Sequence, residues 1–356
     1  MPSLKEIKGR INSISSTLAI TSAMKMVAAA KLQKAQMAIQ NMLPYERRLY
    51  SMLVDLMGAM NISAAASEDG SVRGSGSAER GFDQSGDRLS LSNRHDLAGM
   101  DGAYSLMAQR EVRKVAIVAF ASNSSLCGAF NSNVIREATA VINEYRASGL
   151  GDADITVYSI GRKMAEAMKR LGFPSPADFT KMSDSPSYDA ASALAQELFD
   201  GFVSGRFDKV ELVYNHYKST SSQPTTRQTY LPLSLADATA DIQVGKITDS
   251  ASEPYVDKVA EPVVRQNSPT TETPDLIVEP SKEELIATLL PKVVRLRVFT
   301  TLLDSTAAEH AARTVAMQLA TDNGNDLLQE LTLEYNKGRQ QKITSEILDI
   351  VGGSLQ

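Results

Sequence analysis

The sequence has few of the residues that metal, redox and disulfide sites require. Among 356 residues there is one cysteine, Cys127, and no tryptophan. A single cysteine excludes an internal disulfide, a dithiol switch and a zinc site made only of cysteines of this chain. The histidines, His95, His216 and His310, lack the short spacing of metal ligands. We therefore expect neither a metal nor any other cofactor.

Strong charge and long apolar runs are also missing. The net charge is −5, whereas nucleic-acid binding usually requires a strongly basic face. No uncharged run approaches the ~20 apolar residues of a membrane span, and no targeting segment precedes the first helical pattern. No GxxxxGK[ST] phosphate loop occurs. We expect a protein that is soluble, or peripheral to a membrane through partners, and that binds no nucleic acid.

Apolar residues at alternating spacings of three and four mark a long helix at each end of the chain. In residues 1–60 the stripe begins Leu4, Ile7, Ile11 and runs on to Met42, a heptad-like pattern typical of a coiled coil. Pro44 is expected to kink this helix or to end its first section.

The second long helix is predicted in residues 281–356. Ser281 and Glu284 form the pattern of a capping box at its start. Pro291 is expected to break or kink the segment, and an apolar stripe then continues to Ile350.

The residues between these helices predict an α/β domain flanked by two inserts. Residues 61–107 are rich in serine and glycine and predict a flexible insert, and residues 237–280 predict an acidic flexible insert. Residues 108–236 alternate apolar runs with helical patterns. Strands are predicted at 115–120, 155–160, 209–215 and 228–233, and this alternation favours a small, mostly parallel sheet.

Together these elements predict one architecture. Each terminal helix would span roughly 80–90 Å, far longer than a compact domain needs. Winding the two helices on each other covers both apolar stripes. The predicted fold is therefore α/β: a long antiparallel coiled coil of the N- and C-terminal helices, with a small Rossmann-like α/β domain inserted between them. This pattern by itself is also compatible with a coiled-coil scaffold or adaptor, or with an enzyme that uses the strand ends of the sheet.

Four segments, in order along the chain, resemble the gamma subunits of F-type ATP synthases. They are the opening SLKEIKGRINSISSTLAITSAMKMVAAAKLQKAQ, the turn SLCGAFNSN, the segment VEPSKEELIATLLPK and the ending from AAEHAARTVAM to SEILDIVGG. The resemblance implies a non-catalytic rotor shaft that couples rotation of the c-ring to conformational cycling of the catalytic beta subunits. Its implied partners are the alpha, beta, delta and epsilon subunits and the c-ring, at the cytoplasmic face of a bacterial inner membrane.

The resemblance also implies contacts with the beta subunit. They fall on Met24 and Lys25 of the first helix and on Arg339, Gln340 and Thr344 of the last. Each residue has a plainer interpretation: Met24 as packing in the seam, Lys25 as a solvated lysine, and the other three as a polar helix face.

This chain departs from the family at two places. Asn123, Ser124 and Ser125 precede the Leu-Cys-Gly turn where the family often has an acidic residue, an arginine and a glycine, which puts an ionic role of that turn in doubt. Gly338 stands where a small helix former is more usual and is expected to soften the helix locally.

Overall fold

A computed structural model of the chain describes residues 3–59, 106, 110–233, 279 and 281–353. Two helices dominate it. Helix α1 spans Leu4–Ala59 and helix α6 spans Lys282–Gly353. Ser281 caps α6, since its Oγ accepts a hydrogen bond from the Glu284 backbone N–H at 3.2 Å, as the capping pattern predicts.

The two long helices pack against each other in antiparallel directions. Leu4 lies against Gly338 and Leu18 against Gly324, and the hydroxyls of Thr21 and Thr321 are 3.1 Å apart. The seam also buries small residues, including Ala28, Ala307 and Ala311, whose size lets the backbones approach closely. The predicted antiparallel coiled coil is confirmed.

The described residues between the long helices contain a four-stranded sheet. Its strands are β1 (Val115–Phe120), β2 (Ile155–Ile160), β3 (Lys209–Asn215) and β4 (Thr225–Leu231). The spatial order is β2-β1-β3-β4. Strand β1 pairs in parallel with both neighbours and β4 is an antiparallel edge strand. The helices between them are α2 (Phe130–Ala147), α3 (Arg162–Arg170), α4 (Thr180–Asp184) and α5 (Tyr188–Val203).

The sheet is covered on both faces, as in other α/β folds with parallel strands. Along β1, Ala116, Val118 and Phe120 face a core that includes residues of α1, α5 and α6. The alternate residues Val115 and Ile117 face a second core, formed with α2 and α3. The first core therefore fixes the sheet to the lower half of the coiled coil, where α1 ends and α6 begins.

Three of the four strands have the bounds that the sequence predicts, and the fourth does not. Strand β4 spans Thr225–Leu231 rather than 228–233, because polar residues at its start pair with β3 in spite of their poor apolar pattern. Both helices also run without interruption through their prolines, Pro44 and Pro291. Packing on either side of each proline outweighs its local cost of about 3 kcal/mol.

Other expectations fall largely outside the part of the chain that the structure describes. The two inserts do so except for Leu106 and Glu279. Leu106, at the end of the first insert, is fully buried, and its carbonyl accepts a hydrogen bond from the Leu233 N–H at 2.8 Å. Among the described helices, none has the length and apolar character needed to cross a membrane.

Candidate partner-binding surface

Helix α6 extends beyond the first residue of α1. A Cβ added to Gly338 would lie 3.2 Å from Leu4 Cδ2, so Gly338 lies at the level of the first residue of α1. Helix α6 continues to Gly353. We call residues 339–353 the tip, which is about 22 Å long at 1.5 Å per residue. Every residue from 339 to 348 is exposed, so this part of the tip has no packing partner among the described residues.

The tip presents an apolar stripe with polar residues beside it. Ile343, Ile347 and Ile350 are 48%, 55% and 71% exposed and share one face of the helix, because they are four and three residues apart. Arg339, Gln340 and Thr344 are exposed and flank this stripe, Arg339 on one side and Gln340 and Thr344 on the other. The Thr344 hydroxyl donates to the backbone carbonyl of Gln340 at 2.9 Å, a bond that does not involve the Gln340 side-chain amide.

The other predicted contact residues lie elsewhere on the coiled coil. Met24 and Lys25 are partly buried on α1, and 20 residues of helix, about 30 Å, separate Met24 from the level of Leu4. Met24 shares a face with Ile20 and Val27, which are 60% and 58% exposed. The structure thus places Arg339, Gln340 and Thr344 on the tip, on either side of one apolar stripe, and places Met24 in a separate apolar patch on the shaft, with Lys25 next to it in sequence.

A second set of contacts joins the α/β domain to both long helices, and sequence reasoning missed it. Directly after β3, the Tyr217 backbone N–H donates to Asp304 Oδ1 at 2.9 Å, and His216 Nδ1 lies 2.6 Å from Asp304 Oδ2. The Tyr217 hydroxyl accepts a hydrogen bond from Gln36 Nε2 at 2.6 Å. Asp304 belongs to α6 and Gln36 to α1, so two adjacent residues of the sheet domain reach both helices.

The turn that departs from the family's pattern is attached to α6 at the same end of the sheet. Arg313 Nη1 donates to the Ser125 carbonyl at 2.7 Å, and Arg313 Nη2 pairs with Glu309 at 2.6 Å. Burial raises the pKa of Glu309, and the charge of Arg313 only partly offsets this shift. Asn123 also serves the fold, because its Oδ1 accepts the Arg162 N–H at 2.8 Å.

Buried Cys127 lies beneath this turn and forms part of its packing. Its side chain is 1% exposed and packs against Phe130 and Ala308. Burial raises the pKa of the Cys127 thiol, so the neutral form is favoured. Among the described residues, no cluster of histidine, cysteine or acidic side chains has the geometry of a metal site.

Comparisons with known proteins cover the whole chain. A family model described as ATP synthase matches residues 3–355. The ATP synthase gamma chains of Phocaeicola vulgatus and Bacteroides thetaiotaomicron are 47% and 45% identical to it, over 100% of both chains in each case. A solved chain in the mitochondrial ATP synthase of Euglena gracilis is 19% identical, with a TM-score of 0.52, and the match covers 98% of this chain and 92% of that one.

The structural likeness supports the fold, and the identity of the relatives supports the family. Matches at this identity over full length include both long helices and the inserted sheet, and the resemblance of the four segments is confirmed. From its sequence and its architecture, the chain belongs to the ATP synthase gamma chain family.

Proposed function

We propose that this chain is the rotor shaft of a proton-translocating F-type ATP synthase. In this role the coiled coil turns inside the ring of alpha and beta subunits, and the α/β domain sits nearer the membrane with epsilon and the c-ring. The chain does no bond chemistry of its own. Its asymmetric surface stabilises a different conformation of each beta subunit at each rotor angle.

The exposed tip of α6 is the observation that carries this proposal. An unpaired helix that exposes Ile343, Ile347 and Ile350 is unfavourable in water, so these side chains indicate a surface that a partner covers. A sleeve formed by the alpha and beta subunits would cover a helix tip from every side. Arg339 would then meet carboxylates of a beta subunit, because its planar guanidinium suits them.

The patch at Met24 supports a second level of contact on the same shaft. Ile20 and Val27 flank Met24 on α1 and are more than half exposed. We infer that this patch slides past the beta subunits during rotation, and that Lys25 meets their acidic residues. The delta subunit completes the expected set of partners.

We also propose a location and a domain division. The named relatives with high identity are bacterial, which supports a peripheral position at the cytoplasmic face of a bacterial inner membrane, held there by the partner subunits. Residues 61–107 and 237–280 would be inserts that separate the α/β domain from helices α1 and α6.

Purification of the tagged chain from gently solubilised membranes tests the proposed function. We expect alpha, beta and epsilon subunits to copurify with it in a complex that hydrolyses ATP. A chain recovered without those subunits, or with an unrelated set of proteins, would contradict the rotor and favour the scaffold alternative.

A further inference from the structure

Two adjacent residues of the sheet domain are held by both helices of the coiled coil. Asp304 of α6 uses both carboxylate oxygens, one on the Tyr217 N–H and one on His216 Nδ1. Gln36 of α1 donates to the Tyr217 hydroxyl. We call Gln36, His216, Tyr217 and Asp304 the brace.

The brace lies at the opposite end of the sheet from the main attachment. At the lower end, Tyr230 of β4 donates to the Val294 carbonyl of α6 at 2.9 Å, within a large apolar core. The brace contacts α6 ten residues further on, about 15 Å along the helix axis. The domain is therefore held to the shaft at two separate levels.

Contacts at two levels of the shaft restrain twisting better than contacts at one level. The lower core includes residues of both α1 and α6, and the brace contacts both helices again at a second level, where their axes lie about 8–10 Å apart. Tyr217 also fills the space between the helices. Its ring packs beside the seam residues Leu32 and Ala307 and beside the Cys127 cluster on the domain side.

The chemistry of the brace suits a stiff connection. The Asp304 side chain is 18% exposed, so water competes little for its oxygens. Hydrogen bonds to a carboxylate are shorter and stronger than those between neutral groups. The 2.6 Å contact between Gln36 Nε2 and the Tyr217 hydroxyl is also short for its kind.

We propose that Tyr217 and Asp304 are positioning residues that lock the α/β domain to the coiled coil against torsion. This inference rests on the proposed rotor function, since torque entering through the α/β domain reaches the shaft through its attachments. The lower core supplies most of the binding between domain and shaft. The brace adds a second attachment to each helix, beyond the core, and so limits how far the domain twists before the coiled coil follows.

The test measures torsional stiffness in the complete complex. The head is fixed to a surface, and a probe is attached to the domain through Lys169→Cys, an exposed position at the end of α3. The native Cys127 is buried and will not compete for the label. The readout is the angular variance of the probe while the head is stalled at one catalytic angle.

Tyr217→Phe removes the hydroxyl that binds Gln36 and keeps the ring. Because the Asp304 contacts and the lower core remain, losing the arm on α1 should raise the angular variance, by a factor below about two. Gln36→Leu should have the same effect, and the double variant should add nothing to either single change. The rate of ATP hydrolysis without load should stay unchanged.

Tyr188→Phe is the matched control. Tyr188 is partly exposed and meets Phe299 of α6 edge-to-face, and its hydroxyl forms no hydrogen bond with any other residue that the structure describes. Unchanged variance in Tyr217→Phe, or an equal rise in Tyr188→Phe, would overturn the brace while leaving the rotor function intact. A native complex that does not rotate with ATP would overturn both.

Discussion

Arg339 is the single residue from which the proposed contact with the beta subunit is best tested. It is exposed at the base of the tip, beside the apolar stripe, and its guanidinium can form two parallel hydrogen bonds with a carboxylate. Lys342 offers a matched control, because it is exposed on the same segment but lies further from the apolar stripe, and its Nζ already has a partner in Glu346 Oε1 at 3.8 Å.

We expect Arg339→Ala to reduce proton pumping per ATP hydrolysed. One charge-assisted contact is worth about 1.5–3 kcal/mol, so its loss should lower this ratio in part without abolishing it, because the other contacts along the shaft remain. Lys342→Ala should pump like the native complex. Pumping is measured in inverted membrane vesicles with a pH-sensitive dye, alongside the hydrolysis rate. Equal losses in the two variants would show that Arg339 has no special contact.

The buried environment of His310 makes the stability of the folded chain depend on pH. Its Nδ1 is buried without a hydrogen-bond partner among the described residues. Burial, followed by the charges of Lys31 and Arg313, lowers the pKa of His310 to about 4. Glu309 lies next to it in the sequence, but its carboxylate pairs with Arg313.

The sign of the effect follows from the lowered pKa. Between the ordinary pKa of about 6.5 and the folded-state pKa of about 4, the unfolded chain binds a proton at His310 and the folded chain does not. The free energy of unfolding therefore falls as the pH is lowered from about 6.5 to about 4. His310→Gln should therefore lose less thermal stability than the native chain when the pH falls from about 7.5 to about 5. An equal fall in melting temperature for the two proteins over this pH range would contradict the lowered pKa of His310.

At the scale of elements, two glycines determine how closely the long helices approach. Gly324 and Gly338 lie two heptads apart on the same face of α6. A Cβ on Gly324 would lie 2.7 Å from Leu18 Cδ2 and 3.1 Å from Leu18 Cγ, whereas one on Gly338 would lie 3.2 Å from Leu4 Cδ2. The first position is too close for an unmoved leucine. The second needs only a small shift of a side chain in the first turn of α1.

The two alanine substitutions should therefore have different effects on the melting temperature. Alanine is favoured over glycine inside a helix by about 0.5–1 kcal/mol. We expect Gly338→Ala to raise the melting temperature of the purified chain, since Leu4 can move. In Gly324→Ala the displacement of partly buried Leu18 should cancel or exceed the gain. A larger increase for Gly324→Ala than for Gly338→Ala would show that the seam is looser than these distances indicate.

The elements differ in how well the sequence predicts them, for physical reasons. Strand β1 is a run of six buried residues, and such an apolar run bounded by polar turns has few alternatives. Strand β4 begins Thr225-Thr226-Arg227, which has no apolar pattern, and it forms because β3 supplies its hydrogen bonds. Pro44 and Pro291 do not end their helices, since packing elsewhere along each helix outweighs the local cost of the proline.

In the candidate site, too, contacts that depend on distant packing could not be predicted from the sequence. Arg339, Gln340 and Thr344 were predicted from a resemblance, and they lie within two turns of one helix, so their proximity requires no tertiary information. The brace was not predicted, because Gln36, Tyr217 and Asp304 are far apart in sequence and meet only when the register of the coiled coil is known. In the sequence, polar residues of this kind cannot be told from ordinary surface positions. Only the packing of α1, α6 and the segment after β3 brings them together.

At the scale of the whole molecule, the structure combines an off-axis domain with a slender shaft. The α/β domain is bound at one side of the coiled coil by a large apolar core and by the brace. The opposite end of α6 is an exposed tip. This shape is compatible with the proposed rotor, in which torque enters at the α/β domain and acts on the beta subunits at the tip and at the Met24 patch.

Rotation of the shaft is the central claim, and a probe on the α/β domain measures it most directly. With the head of the purified complex fixed to a surface, we predict that ATP drives the probe in one direction, in discrete steps that stop when nucleotide is withdrawn. A probe that only fluctuates about one angle while the same complexes hydrolyse ATP would contradict the rotor.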